Sequence, residues 1–148
     1  MHNALTATFR QTLDQAHREA RQLNQEFVGT EHVVLAFLAV QDSEAARAMT
    51  MAVAADELCR WILNALPKVK KPPVVTGRLP PSPKLQALVN TAMVKAQAAG
   101  QTAVSTRFLL LAILEDDGGL VRQALSACGA DNDDLVRTLV QWGESPEQ

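Results

Sequence analysis

Aromatic side chains are scarce, at 4% of the chain against 47% apolar residues in all, so a core must be built from Ala, Leu and Val. Small and unbranched residues of that kind suit closely packed helices. Only two cysteines occur, Cys59 and Cys128, far apart and without a C-x-x-C spacing. They read as buried thiols, not as a disulfide framework or a metal site. No run approaches the roughly 18 apolar residues that a membrane span needs. The start, Met1-His2-Asn3-Ala4-Leu5-Thr6, has neither the basic residues nor the apolar stretch of a signal peptide. A cytoplasmic, reducing location is the expectation. A formal charge of −2 gives no electrostatic case for binding nucleic acid or a membrane surface.

Catalytic signatures are missing as well. Without G-x-x-x-x-G-K-[ST] there is no phosphate-cradling loop and no ATPase. His2, His17 and His32 are scattered, with no metal-ligand spacing. None of Ser43, Ser82, Ser105, Ser126 and Ser145 lies in a nucleophile elbow. Asp116-Asp117 and Asp133-Asp134 lie near helix starts, where they complement the helix dipole. The chain is expected to be neither an enzyme nor a holder of any cofactor.

What is present is a duplication. The run Phe27-Val28-Gly29-Thr30-Glu31-His32-Val33-Val34-Leu35-Ala36-Phe37-Leu38 returns, edited, as Ala103-Val104-Ser105-Thr106-Arg107-Phe108-Leu109-Leu110-Leu111-Ala112-Ile113-Leu114. The shift from Val28 to Val104 is 76 residues. At that shift Ala16, Ala20, Gln25, Val28, Thr30, Leu35, Ala36, Leu38, Ala48 and Ala54 all fall on identical residues. Such density at apolar positions marks a tandem repeat.

Within the first repeat (about 5–66), Thr6 caps a helix whose Phe9, Leu13, Ala16, Ala20 and Leu23 form one buried face. Arg10, Asp14, Arg18 and Arg21 fall on the other, solvated side. Thr30 caps a second helix, apolar nearly all round and therefore the buried centre. Asp42-Ser43 opens a third helix, and a fourth covers Asp56 to Ala65, with Leu58, Trp61 and Ile62 facing inward. Residues 67–81 carry five prolines and a glycine and read as an extended, solvated linker. The second repeat (about 82–143) starts at Ser82-Pro83, a capping serine before a proline at the first helical position. Thr106 caps its second helix, Gly118-Gly119 opens the third and Asp131 caps the fourth. Gly143-Glu144-Ser145-Pro146-Glu147-Gln148 reads as a polar, frayed end. The predicted architecture is all-α: eight helices in two pseudo-symmetric groups of four, forming one domain over 1–148.

The motif Val28-Gly29-Thr30-Glu31-His32 and the duplication together resemble the N-terminal domain of the Clp unfoldases, the AAA+ ATPases that feed chambered peptidases or dissolve aggregates. The likeness runs from about Leu5 to Trp142. It implies a non-catalytic domain that receives partners: a Clp ATPase, a Clp peptidase, an adaptor protein, or an unfolded or phosphoarginine-tagged client. Two forms stay open, a free-standing accessory module and the recognition domain of a longer, ATP-driven unfoldase. A DNA-binding helical regulator is disfavoured, because the second and sixth helices display no row of cations.

The resemblance also implies candidate protein-binding residues. In the branch that handles phosphoarginine, the motif's glutamate meets the guanidinium and helix-start amides meet the phosphoryl group, as anion attraction to a helix N-terminus requires. Thr30, Glu31 and His32 fit that pattern in repeat one. In repeat two Thr106 is kept but Arg107 replaces the glutamate; it would repel a guanidinium and hold a phosphate or another acidic group. For Val28, Gly29 and Thr30 a capping and turn role suffices, whereas Glu31 is open to both readings. The disaggregase branch uses an apolar groove, whose lining would fall near Thr6, Thr91, Lys95 and Phe108. Only Phe108 is large and apolar, so a more specific protein contact is expected than a grip on greasy chain. The stem of Lys95 can still cover apolar surface.

Overall fold

The computed structural model describes residues 4–72, 74, 77–116, 119–142 and 147. Its elements run β1 (Ala4–Leu5), α1 (Ala7–Gln22), α2 (Thr30–Ala39), α3 (Glu44–Ala52), α4 (Ala55–Ala65), α5 (Pro83–Ala98), β2 (Ala103–Val104), α6 (Thr106–Glu115), α7 (Leu120–Ala127) and α8 (Asn132–Gln141). The expected eight helices in two groups of four are therefore found. Added to them is a short parallel pairing, Ala4 with Ala103 and Leu5 with Val104, which no alternation in the sequence announces. Its pseudo-symmetric mate is the bridge between Val28 and Pro81. Each repeat thus stitches the start of its first helix to the loop before the other repeat's second helix.

Helix boundaries follow from local chemistry. Thr6 accepts a hydrogen bond from the Phe9 N–H, Ser82 from Leu85, Ser43 from Ala46, and Asp131 from Asp133 and Asp134. These are the side-chain caps that orphan first-turn amides need. Thr30 and Thr106 are first helical residues instead of caps; Gly29 and Ser105 hold the cap positions. Helices α1 and α5 end alike. Asn24 (φ 57°) and Gly100 (φ 76°), 76 residues apart, take the left-handed conformation. The following N–H groups, of Gln25 and Gln101, reach back to the Ala20 and Ala96 carbonyls. This is the Schellman termination, and α7 repeats it through Gly129 and Ala130.

The two motif helices are the centre, as their apolar sequence requires. His32 to Leu38 of α2 and Thr106 to Leu114 of α6 are buried without a break. Helix α1 packs along α2 and α5 along α6, while α3 lies on α6 and α7 on α2, so the repeats share one core. On α1 the buried face is Phe9, Thr12, Ala16 and Ala20, with Leu13 and Leu23 half-buried at its margins. Thr12 tolerates burial because its hydroxyl donates to the Thr8 carbonyl at 2.8 Å. Cys59 and Cys128 are free and half-buried, and burial pushes both thiols up, which disfavours the thiolate.

The solvated-linker expectation is corrected at its second half. Residues 68–72 are exposed, but Leu79 is buried and its N–H donates to His17 Nε2 at 2.7 Å. Arg78 pairs with Asp14 at 2.8 Å, and Arg21 donates to the Gly77 carbonyl. The polar face of α1 is therefore the seat of the connector and not merely solvated. Residues 73, 75 and 76 of the linker lie outside the described residues. Among the described residues no helix is long and apolar enough to cross a membrane.

Candidate protein-binding site

Under the 76-residue shift Thr6 corresponds to Ser82, Thr30 to Thr106, Glu31 to Arg107 and Glu44 to Leu120. Each repeat therefore builds an equivalent cleft where the starts of three helices converge: α5, α2 and α7 in one, α1, α6 and α3 in the other. The two clefts have diverged.

In the first, Thr30 and Glu31 are half-buried beside Lys84, Asp116 and Gly119, around a space of about 30 Å³. Lys84 and Asp116 close it with an ion pair at 2.6 Å. His32 turns inward. Its Nδ1 accepts the Gly29 N–H at 2.8 Å, which places the neutral ring's proton on Nε2, a buried atom with no partner among the described residues. Gly29 has an ordinary φ of −107°. Its smallness matters for another reason: a Cβ there would meet the Glu31 carboxylate at 3.1 Å and the His32 ring at 3.7 Å.

Burial holds His32 below the ordinary imidazole value of 6.5, against the opposing pull of Glu31 and Glu19. His17 is also lowered, first by burial and then by Arg78 and Arg21. Both rings then bind fewer protons folded than unfolded. Their contribution to stability is complete above about pH 6.5 and is lost as pH falls below that value and through the lowered folded ones. Thermal unfolding midpoints should drop between pH 7 and pH 5, and His17→Gln should flatten that dependence.

The second cleft is filled. Thr6, Thr106, Arg107 and Glu44 are all buried there, and so is Glu147. The frayed-end expectation is thus overturned at Glu147; residues 143–146 and 148 lie outside the described residues. One carboxylate oxygen of Glu147 accepts from the Thr6 hydroxyl at 2.8 Å and from the Thr106 N–H at 2.8 Å. The other accepts from the Thr106 hydroxyl at 2.6 Å and the Glu44 N–H at 2.8 Å. Two of these donors are first-turn amides, of α6 and α3, where an anion is favoured. Arg107, only 3% exposed, donates from Nη1 to the Trp142 carbonyl at 2.7 Å and lies over the Phe108 ring at 4.7 Å. Its Nε stands 3.9 Å from Glu44 Oε1, and neither atom has a hydrogen-bond partner among the described residues.

On the far side of Arg107 and Phe108 an open groove of about 310 Å³ runs between α5, α6 and α8. Lys95, Ala99, Leu111, Val140 and Trp142 complete its walls. Lys95 is tied across it to Glu115 at 2.5 Å. Of the four groove residues expected from sequence, Phe108 and Lys95 meet here. Thr6 belongs to the cleft, and Thr91 is exposed on α5 with its hydroxyl on the Ala87 carbonyl at 3.0 Å. The sequence reading missed Trp142, Val140 and Glu147, which come from the last helix and the segment after it.

A sequence model of the Clp repeat (R) N-terminal domain matches residues 4–117 and again residues 82–145. The chain belongs to the Clp N-terminal repeat family. The Hsp104 N-terminal domain from Candida albicans is similar at 18% identity and a TM-score of 0.76, over 93% of this chain and 90% of that one. The N-domain of ClpV from Vibrio cholerae is similar at 18% identity and 0.77, over 97% and 88%. A ClpV N-domain solved in complex with a VipB peptide is similar at 19% identity and 0.70, over 93% and 85%. At these identities the likeness establishes the Clp N-domain fold.

Proposed function

We propose that this domain is a non-catalytic protein-binding module of a Clp chaperone or protease system, docking an adaptor, a client or a Clp partner subunit. The observation that carries this reading is the groove between α5, α6 and α8. It is open and lined by Phe108, Leu111, Val140 and Trp142, with the Lys95–Glu115 pair across it. An apolar floor with a few fixed charges suits a segment of protein better than a small metabolite. The binding of a VipB peptide by a ClpV N-domain supports the same use of the fold. The reading holds equally for a free-standing module and for the recognition domain of a longer unfoldase.

The test uses Trp142 as reporter. Purified Clp ATPase, Clp peptidase and an unstructured client protein are titrated separately, and Trp142 fluorescence is followed in a Trp61→Phe background. One of them should give a saturable change. Val140→Asp, at a position 65% exposed, should weaken that binding at least about tenfold and leave the unfolding midpoint in place. Saturable binding that ignores Val140→Asp, or no binding by any of the three, would overturn the reading.

A further inference from the structure

The 76-residue shift pairs His17 of α1 with Met93 of α5, an apolar residue packed at the edge of the core. The duplicated helix therefore does not require a histidine at this point. The connector makes use of it: His17 Nε2 accepts the Leu79 N–H at 2.7 Å. Two ties flank that bond. Arg21 donates to the Gly77 carbonyl, and Arg78 pairs with Asp14 at 2.8 Å. Asp14, His17 and Arg21 follow one another at spacings of three and four, so they share one face of α1 and strap residues 77–79 along it.

The strap has a core residue in its grip. Leu79 is only 3% exposed and packs in the common core. From there the chain passes through Pro80 and Pro81 to the cap of α5. The Val28 N–H donates to the Pro80 carbonyl at 2.9 Å, and the Ser82 N–H to the Val28 carbonyl at 2.8 Å. The strap thus lies on the route from repeat one into repeat two.

The three ties differ in kind. Asp14 and Arg78 are each more than half exposed, and such a surface pair holds weakly. The His17 bond is partly buried and depends on a lone pair. A neutral ring that accepts at Nε2 carries its proton on Nδ1, whereas a protonated ring donates from both nitrogens and would turn an N–H toward the Leu79 N–H. Among the described residues, the charged groups acting on His17 are Arg78 from the connector and Asp14, Arg18 and Arg21 from α1. Burial first, then Arg78 and Arg21, hold the ring below its ordinary 6.5, with Asp14 alone pulling the other way.

We propose that His17 is a proton-operated latch: neutral, it straps residues 77–79 onto α1, and protonated it lets them go while the helical core stays folded. The released ring regains its ordinary affinity for the proton. The strap is therefore fully closed above about pH 6.5 and opens as pH falls below that value and through the lowered strapped one. Opening brings Leu79 out of the core and frees the approach to α5.

The test is amide hydrogen exchange, read by NMR on the ¹⁵N-labelled full chain, each rate being divided by the intrinsic rate at its pH. Protection of the Leu79 amide should fall at least about fivefold between pH 7 and pH 5. Leu35 in α2 and Leu110 in α6, both buried, should keep theirs. His17→Gln sets a non-titrating acceptor near the place of Nε2 and should make Leu79 protection indifferent to pH. His17→Ala removes the acceptor, so protection should already be low at pH 7. Arg78→Gln takes away a cation and leaves Asp14 to face the ring, so the fall should begin at a higher pH.

Leu79 protection that ignores pH in the unaltered chain would overturn the proposal. So would an equal fall in His17→Gln, or an Arg78→Gln transition that fails to move upward. A loss shared equally by Leu35 and Leu110 would also overturn it, because acid would then be unfolding the whole domain and no latch would be needed.

Discussion

Arg107→Glu should destabilise the domain by about 3–5 kcal/mol, the usual cost of breaking a buried charged network from one side. Arginine at this position is 3% exposed, donates to the Trp142 carbonyl and stands 3.9 Å from the buried Glu44 carboxylate. A glutamate there would put a second buried carboxylate beside Glu44. It would also remove the guanidinium from the Phe108 ring, worth about 1–2 kcal/mol when desolvated. Since whole domains are stable by only about 5–15 kcal/mol, much of the protein should unfold in mild urea. Arg107→Met paired with Glu44→Leu removes both charges and should recover most of the loss. The check is urea unfolding of the three proteins side by side. An unchanged midpoint for Arg107→Glu would mean that the side chain stands in solvent.

Arg107 also shows where the sequence stops being informative. By the repeat it stands where Glu31 stands, at the second position of a motif helix, and a cation at a helix start reads as a surface group. Glu31 is half-buried beside Lys84, but Arg107 is covered, with Trp142 arriving from the other end of the chain to accept its hydrogen bond. Glu147 was invisible for the same reason. Glycine, proline and glutamate around it read as solvated chain, and its partners Thr6 and Thr106 lie 141 and 41 residues away. The eight helices, the capping residues Thr6, Ser43, Ser82 and Asp131 and the central helices α2 and α6 were legible, because each depends on contacts within a few residues or on the duplication itself. The sites depend on which segment covers which cleft, and the 76-residue shift sets Trp142 on Leu66 and Glu147 on Lys71, residues of a different chemistry that foretell neither contact.

Phe37→Ala should cost about 3–5 kcal/mol, and both repeats should feel it together. Phe37 is fully buried on α2, so truncation leaves a cavity that rigid neighbours cannot refill. Were the repeats independent, the loss would stay in the first. The packing says otherwise: α2 meets α7, α4 meets α7, and α6 meets both α1 and α3, so each repeat's central helix is covered by helices of the other. Half of the domain would leave either α2 or α6 with an apolar face in water. Two tryptophans make this measurable, since Trp61 sits on α4 of the first repeat and Trp142 just beyond α8 of the second. With Trp61→Phe and Trp142→Phe each made on the Phe37→Ala background, the two single-tryptophan proteins should unfold in urea at the same lowered midpoint. A fall seen by Trp61 alone, with Trp142 holding its original midpoint, would show two folding units where the shared core requires one.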